Sequence, residues 1–264
     1  MGRSMPGPDG TGRFCPLGRE TGIERCVWGD DDWLYLEQGG LLAREYVPLN
    51  VVQDPLGVAH YAFDGGTLPD DFQWLRTPFP DRIFRLGDGT LTLIGRESIG
   101  SWFEQSLVAR RQQHFPYRAE TEVEVTSNSY QPGAVLTTYY NRHTLHALVA
   151  SGDADGTRNL SILSCPGDWP DGALDPSMPD PVTLPNGPLR LAVEVDHAAQ
   201  QFFCAVGDGD WQAYGPVLDA SQISDEGGRG EHASFTGAFV GMVCFDTSGM
   251  GGEARFPWFN YLPD

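Results

Sequence analysis

The residues whose types and spacing bear on chemistry are His143 and His146, Asp153 and Asp155, and the arginines between Arg96 and Arg111. The two histidines stand three apart on an expected strand, so alternation sends them to opposite faces and they cannot share a metal. Each is read as a packing residue. Asp153 and Asp155 lie in Gly152-Asp-Ala-Asp-Gly156, a calcium-like pattern without the distal Glu of a complete binding loop. The same residues suit a hairpin turn, because Asp and Gly tolerate positive φ. The turn is the preferred reading, a structural calcium is its alternative, and no other cofactor or metal is expected. Arg96, Arg110 and Arg111, with Glu97 and Glu104 nearby, are read as ion pairs across neighbouring strands. Gly95-Arg96-Glu97-Ser98-Ile99-Gly100 has one residue too many for the Gly-x-Ser-x-Gly elbow of a serine hydrolase.

Charge narrows the field further. All 17 basic residues are arginine, and the formal net charge is -19. Such a surface repels phosphate backbones and anionic bilayers, so neither nucleic acid nor a membrane is an expected partner. The absence of lysine excludes a Walker A loop and a Schiff-base nucleophile. Five widely spaced cysteines without a Cys-x-x-Cys pair signal neither a zinc knuckle nor a disulfide framework. The first twenty residues hold no apolar signal-peptide core, and no run nears the ~20 apolar residues of a membrane helix. A reducing, cytoplasmic setting is the expectation.

The elements that must position any site are strands. The 33 glycines and 20 prolines suit many short strands and turns. In Arg118 to Thr126, Ala119, Thr121, Val123 and Val125 alternate with Glu120, Glu122 and Glu124, the mark of a half-buried strand. Leu189 to Asp196 repeats the scheme. Leu145–Ala150 and Asn159–Ser164 are joined across Gly152–Gly156, and Gln201–Val206 meets Trp211–Tyr214 across Gly207–Asp210. Cys165 to Pro188, rich in Pro, Asp and Gly, reads as an irregular excursion. Two antiparallel sheets packed face to face follow.

Five blocks carry a resemblance. Gly95–Phe115 (GRESIGSWFEQSLVARRQQHF), Ala134–Asn141 (AVLTTYYN), Gly215–Glu226 (GPVLDASQISDE) and Phe235–Met242 (FTGAFVGM) are similar to successive blocks of a C-terminal domain. That domain belongs to β-xylosidases and arabinofuranosidases of glycoside hydrolase family 43. Leu17–Trp28 (LGRETGIERCVW) is similar to the last propeller strands of the same family. The resemblance implies an all-β fold: a concanavalin A-like two-sheet antiparallel sandwich, or jelly roll, over residues 51–264. Residues 1–50 would be a remnant of the last blade of a five-bladed propeller, with the boundary in Pro48–Pro55. Met1 to about Gly12 is expected to be disordered, and Arg13–Leu36 to form at most a small sheet leaning on the sandwich. One departure stands near the end, where Ala254-Arg255-Phe256-Pro257-Trp258-Phe259 replaces the family's acids. Pro257 lacks a backbone donor, so an edge or bulged strand is expected there.

The resemblance implies an inverting glycosidase that removes terminal xylose or arabinose. Its Asp base, Glu acid and pKa-tuning Asp come from blades upstream of Met1, so no residue here is assigned a catalytic role. Two sugar contacts are carried over: Arg19 of the GRET block, and Phe235 as the aromatic lid that closes the pocket. Phe239 is the rival to Phe235 but is expected in the core. Trp169 is read as anchoring its loop, with stacking on a sugar as the rival. The expected partners are a xylo-oligosaccharide or arabinoside, bound only with a propeller, and either a second copy or a complementing propeller chain. Two other readings stay open: a stand-alone lectin-like carbohydrate-binding module, and an interaction scaffold that binds no sugar.

Overall fold

The computed structural model describes residues 3–44, 47, 57–126, 131–152, 157–167, 174–185, 187–227 and 235–264. Their strands, in chain order, are β1 Cys26–Trp28, β2 Leu34–Leu36, β3 Ala59–Ala62, β4 Phe72–Trp74, β5 Phe84–Gly87, β6 Thr90–Ile94, β7 Ser106–Arg111, β8 Pro116–Thr126, β9 Pro132–Asn141, β10 Thr144–Gly152, β11 Arg158–Pro166, β12 Asp175–Leu184, β13 Leu189–Asp196, β14 Ala199–Val206, β15 Gln212–Asp219, β16 Phe239–Asp246, β17 Glu253–Phe256 and β18 Trp258–Pro263. Two large antiparallel sheets face each other. One runs β12-β11-β10-β9-β16-β7-β4; the other runs β15-β14-β13-β8, after which β8 pairs with β17, β6 and β5 lying beyond, and with β18 backed by β3.

The second sheet obeys simple alternation. Ala119, Thr121 and Val123 of β8 and Leu189, Leu191, Val193 and Val195 of β13 are buried between the sheets, in register Leu191 to Thr121. Each large apolar side chain buried there contributes roughly 1.5–3 kcal/mol. The outward side chains are charged, and Arg118 bridges Glu120 at 2.6 Å and Glu194 at 3.2 Å. Pro257 acts as its missing donor requires. Arg255 pairs with Glu124 and Phe259 with Thr121, so the 253–263 segment carries one residue more than β8 across that interval. The strand is therefore bulged and split in two at the proline, yet both halves lie inside the sheet rather than at its edge.

The first sheet is apolar on both faces. Alternate residues such as Leu136, Leu148 and Met242 point into the sandwich. The intervening ones, including Leu107, Ala109, Val135, Leu145 and Val243, build a second buried cluster on the outer face with Ile99. Ile99 sits in the 95–105 loop, and buried Gln105 ties that loop down by donating its amide to the carbonyls of Ile99 (2.8 Å) and Ser101 (2.7 Å).

Four expectations change. Residues 3–14 are placed on the sandwich: Met5 and Phe14 exchange backbone hydrogen bonds of 2.9 Å, and Met5 is buried. Arg3 lies 5.9 Å from the Phe115 ring centroid, and Pro6, Gly7 and Pro8 share a cleft with Asp196, His197 and Val217 of the sandwich. The stretch 165–188 contains β12, an edge strand, the place in a sheet where proline is tolerated. The arginine cluster does not act as one set of strand-to-strand ion pairs. Arg96 lies 3.7 Å from Glu104 as expected, but Arg110 is buried on the inner face, over the Tyr261 ring at 4.0 Å, and donates to the Tyr61 hydroxyl at 2.5 Å. Phe239 faces outward beside the second cluster, not into the sandwich core. The Pro48–Pro55 boundary, Asp153, Asp155 and Trp169 lie outside the described residues.

Candidate functional site

Arg19 and Phe235 meet. The Arg19 guanidinium carbon lies 4.1 Å from the centroid of the Phe235 ring, and Phe235 keeps half of its surface exposed. A cation over an aromatic face at an exposed site contributes about 0.5–1 kcal/mol. That is too little to hold two remote segments together, so backbone contacts must do so.

Those contacts are specific. Ala238 N–H donates to the Pro16 carbonyl at 2.6 Å, and Arg111 donates to the Leu17 carbonyl at 3.2 Å. Gly18 (φ 69°) and Gly237 (φ 74°) lie backbone against backbone, both in the left-handed region that favours glycine. A Cβ on Gly18 would fall 2.5 Å from the Gly237 nitrogen, so neither position admits a side chain. The close approach sets Arg19 and Phe235, each two residues or fewer from its glycine, on the same side of the joint.

Under the Phe235 segment, Tyr140 donates its hydroxyl to Asp225 Oδ1 at 2.5 Å and accepts the Thr236 N–H at 2.9 Å. Burial, then the carboxylate it faces, pushes the Tyr140 phenol above its ordinary value. Asp225 Oδ1 also accepts the Gly237 N–H at 3.1 Å. Glu226 accepts the Cys15 N–H at 2.6 Å; burial and this neighbouring carboxylate raise the Cys15 thiol to about 11.

Beside Phe235 a cleft of about 210 Å³ opens on the outer face of the first sheet, lined by Trp74, Leu107, Ala109, Tyr139, Thr236 and Phe239 among others. An apolar hollow with a few polar groups at its rim suits one face of a sugar ring or an apolar side chain. The two histidines are structural. His143 packs edge-on to Trp102, and His146 spans the sandwich from Ser164 (2.8 Å) to the Asp219 carbonyl (3.2 Å). Among the described residues, no three His, Cys, Asp or Glu side chains gather as a metal site.

Reading the sequence singled out Arg19 and Phe235 but missed Tyr140, Asp225 and the paired glycines. The signal was present, since Gly18, Tyr140, Asp225 and Gly237 fall in four of the quoted blocks, and those blocks converge here.

Family comparison fits this architecture: the β-xylosidase C-terminal concanavalin A-like domain matches residues 60–262. The chain belongs to that family. It is 48% identical over 257 residues to xylosidase/arabinosidase 43B of Humicola insolens, covering 95% of this chain and 47% of that protein. It is 36% identical to a putative β-xylosidase of Escherichia coli K12, with the same two coverages. Among solved structures, the xylan β-1,4-xylosidase of Bacillus halodurans C-125 superposes with a TM-score of 0.81 at 29% identity, covering 98% of this chain and 52% of that one. The chain thus spans about half the length of the relatives it matches.

Proposed function

We propose that this domain supplies one wall of the sugar pocket of a β-xylosidase or arabinofuranosidase, with Phe235 as the aromatic lid and Arg19 as a hydroxyl-binding group beside it. The observation that carries the reading is the 4.1 Å stack of Arg19 on Phe235, made by two blocks that the sequence keeps far apart. An exposed ring face closes a pocket against water and against a longer chain, which favours removal of single terminal sugars. The planar guanidinium fork bridges two neighbouring hydroxyls.

The bond-breaking acids are those the resemblance assigns to upstream blades. An inverting reaction needs one protonated and one ionised carboxyl roughly 6.5–9.5 Å apart, with a water between. Here the outward acids serve other ends, as in the contacts of Glu120 and Glu194 with Arg118 and of Glu253 with Arg85. A catalytic half like that of the relatives would have a surface to meet. The β1–β2 hairpin exposes Trp28 and Leu34 on one face, Val27 and Tyr35 on the other and Trp33 beside its turn, apolar surface of the kind that marks an interaction site. The free lectin-like alternative draws less support. Among the described residues, the exposed tryptophans are spread over the hairpin (Trp28, Trp33), β4 (Trp74) and the 95–105 loop (Trp102).

The test is hydrolysis of nitrophenyl xyloside and nitrophenyl arabinoside by the purified chain, alone and fused behind the N-terminal half of the Humicola insolens relative. The reading predicts turnover by the fusion and none by the chain alone. Turnover by the chain alone would place the acids within it and end the reading.

A further inference from the structure

The structure assigns Tyr140 and Asp225 as the positioning pair of the Arg19–Phe235 wall, an assignment that rests on the reading just given for that wall. Three chain segments converge on this one phenol and one carboxylate. Residues 15–18 lead into Arg19, residues 223–226 follow a short 3-10 turn, and residues 235–238 begin with Phe235. Tyr140, at the end of β9, is buried against Ile223 and Ala238 and is the fixed point, because β9 lies in the interior of the first sheet.

The hydrogen bonds run outward from it. The Tyr140 hydroxyl donates to Asp225 Oδ1 and accepts from Thr236, the residue next to Phe235. Asp225 Oδ1 takes a second hydrogen bond from Gly237 N–H, and the Asp225 N–H donates to the Cys15 carbonyl at 3.3 Å. Asp225 therefore touches both sides of the joint. Its side chain fixes the backbone flanking Phe235, and its backbone holds the segment that delivers Arg19. A charged acceptor makes stronger hydrogen bonds than a neutral one, so Asn at 225 or Phe at 140 loosens the backbone flanking Phe235 while filling nearly the same volume, and leaves the Asp225 N–H bond to Cys15 in place. Tyr140 also lines the cleft beside Phe235, but its hydroxyl is engaged by Asp225 and Thr236, so the role assigned to the pair is to orient the wall.

Side-chain NMR of Arg19 in the intact chain tests the assignment. The Nε–H proton of wild type feels the Phe235 ring current, and Phe235→Leu sets the value without it. Tyr140→Phe and Asp225→Asn are each expected to move the resonance more than halfway to that value, while near-UV dichroism from the tryptophans stays as in wild type. An unmoved Arg19 resonance in both variants would overturn the assignment. Should Asp225→Asn disturb the fold, the smaller change Tyr140→Phe decides alone. In the fused enzyme the same variants are expected to raise KM for xylobiose about fivefold with kcat little changed, the size of one lost hydrogen bond. A moved resonance with an unchanged KM leaves the positioning role standing and removes the lid reading instead.

Discussion

The two sheets of the sandwich solve the same packing problem differently. The β15-to-β5 sheet is apolar inside and charged outside, with cross-strand pairs such as Arg118–Glu194 and Arg85–Glu253 on its solvent face. The β12-to-β4 sheet buries Leu107, Val135, Leu145 and Val243 on the side away from the sandwich as well. A face that is apolar on the outside must be covered, and here the 95–105 loop covers part of it, with a cleft beside the Arg19–Phe235 pair. The charged face maintains solubility and strand register; the apolar one carries the candidate site.

Substitutions on the two outer faces should therefore differ most. Leu145→Ala is expected to cost about 3 kcal/mol, through lost burial and a cavity, and Glu194→Ala about 0.5 kcal/mol or less; denaturant titration of both reads the contrast. Equal costs would mean that the apolar outer face is not a second core.

A smaller effect is expected at the joint. Gly237→Ala forces a Cβ to within 2.6 Å of the Leu17 carbonyl carbon at a left-handed φ, and should cost about 2 kcal/mol. It should also speed proteolysis within residues 3–18, because their seating depends on the same contact. Cleavage no faster than in wild type would separate the N-terminal segment from the site.

The pH response sharpens the comparison again. His146 lies between the sheets, and burial holds its imidazole below the ordinary value of 6.5. The folded chain keeps it neutral while the unfolded chain takes up a proton below 6.5. This contribution is therefore complete above that pH, and stability falls as pH drops through it. Denaturant midpoints at pH 7.5 and 5.5 should differ less in His146→Gln than in wild type.

The smallest effect belongs to the charged face. Arg85→Ala, which removes the paired contacts of 2.6 and 2.5 Å to Glu253, should cost about 0.5 kcal/mol and lose that effect in high salt.

The same contrast explains what was legible in the sequence. Wherever one face meets water, period-two alternation marks the strand, so β8 and β13 could be read directly. The Gly207–Asp210 connector was legible from turn chemistry, and the flanking pair Cys204–Gln212 agrees with it. In β9, β10 and β16 both faces are buried, alternation vanishes, and nothing local says that Phe239 faces outward. β12 was hidden by prolines that argue against a central strand and are harmless in an edge. Arg110 was misread because its partners are tyrosine rings and a hydroxyl brought in from β3 and β18, which no local pattern reveals. Of the candidate site, the family-matched blocks gave Arg19 and Phe235, but the hydrogen bonds that unite them exist only once the blocks converge.

The proposed role of Phe235 is to close a pocket that a catalytic half like that of the relatives would complete. Steady-state kinetics on xylobiose for the fused enzyme, with Phe235 and with Phe235→Ala, measures this most directly. A KM raised about tenfold by the alanine, with kcat within about twofold, is the predicted result. Unchanged kinetics would contradict it and leave Phe235 a surface residue stacked under an arginine.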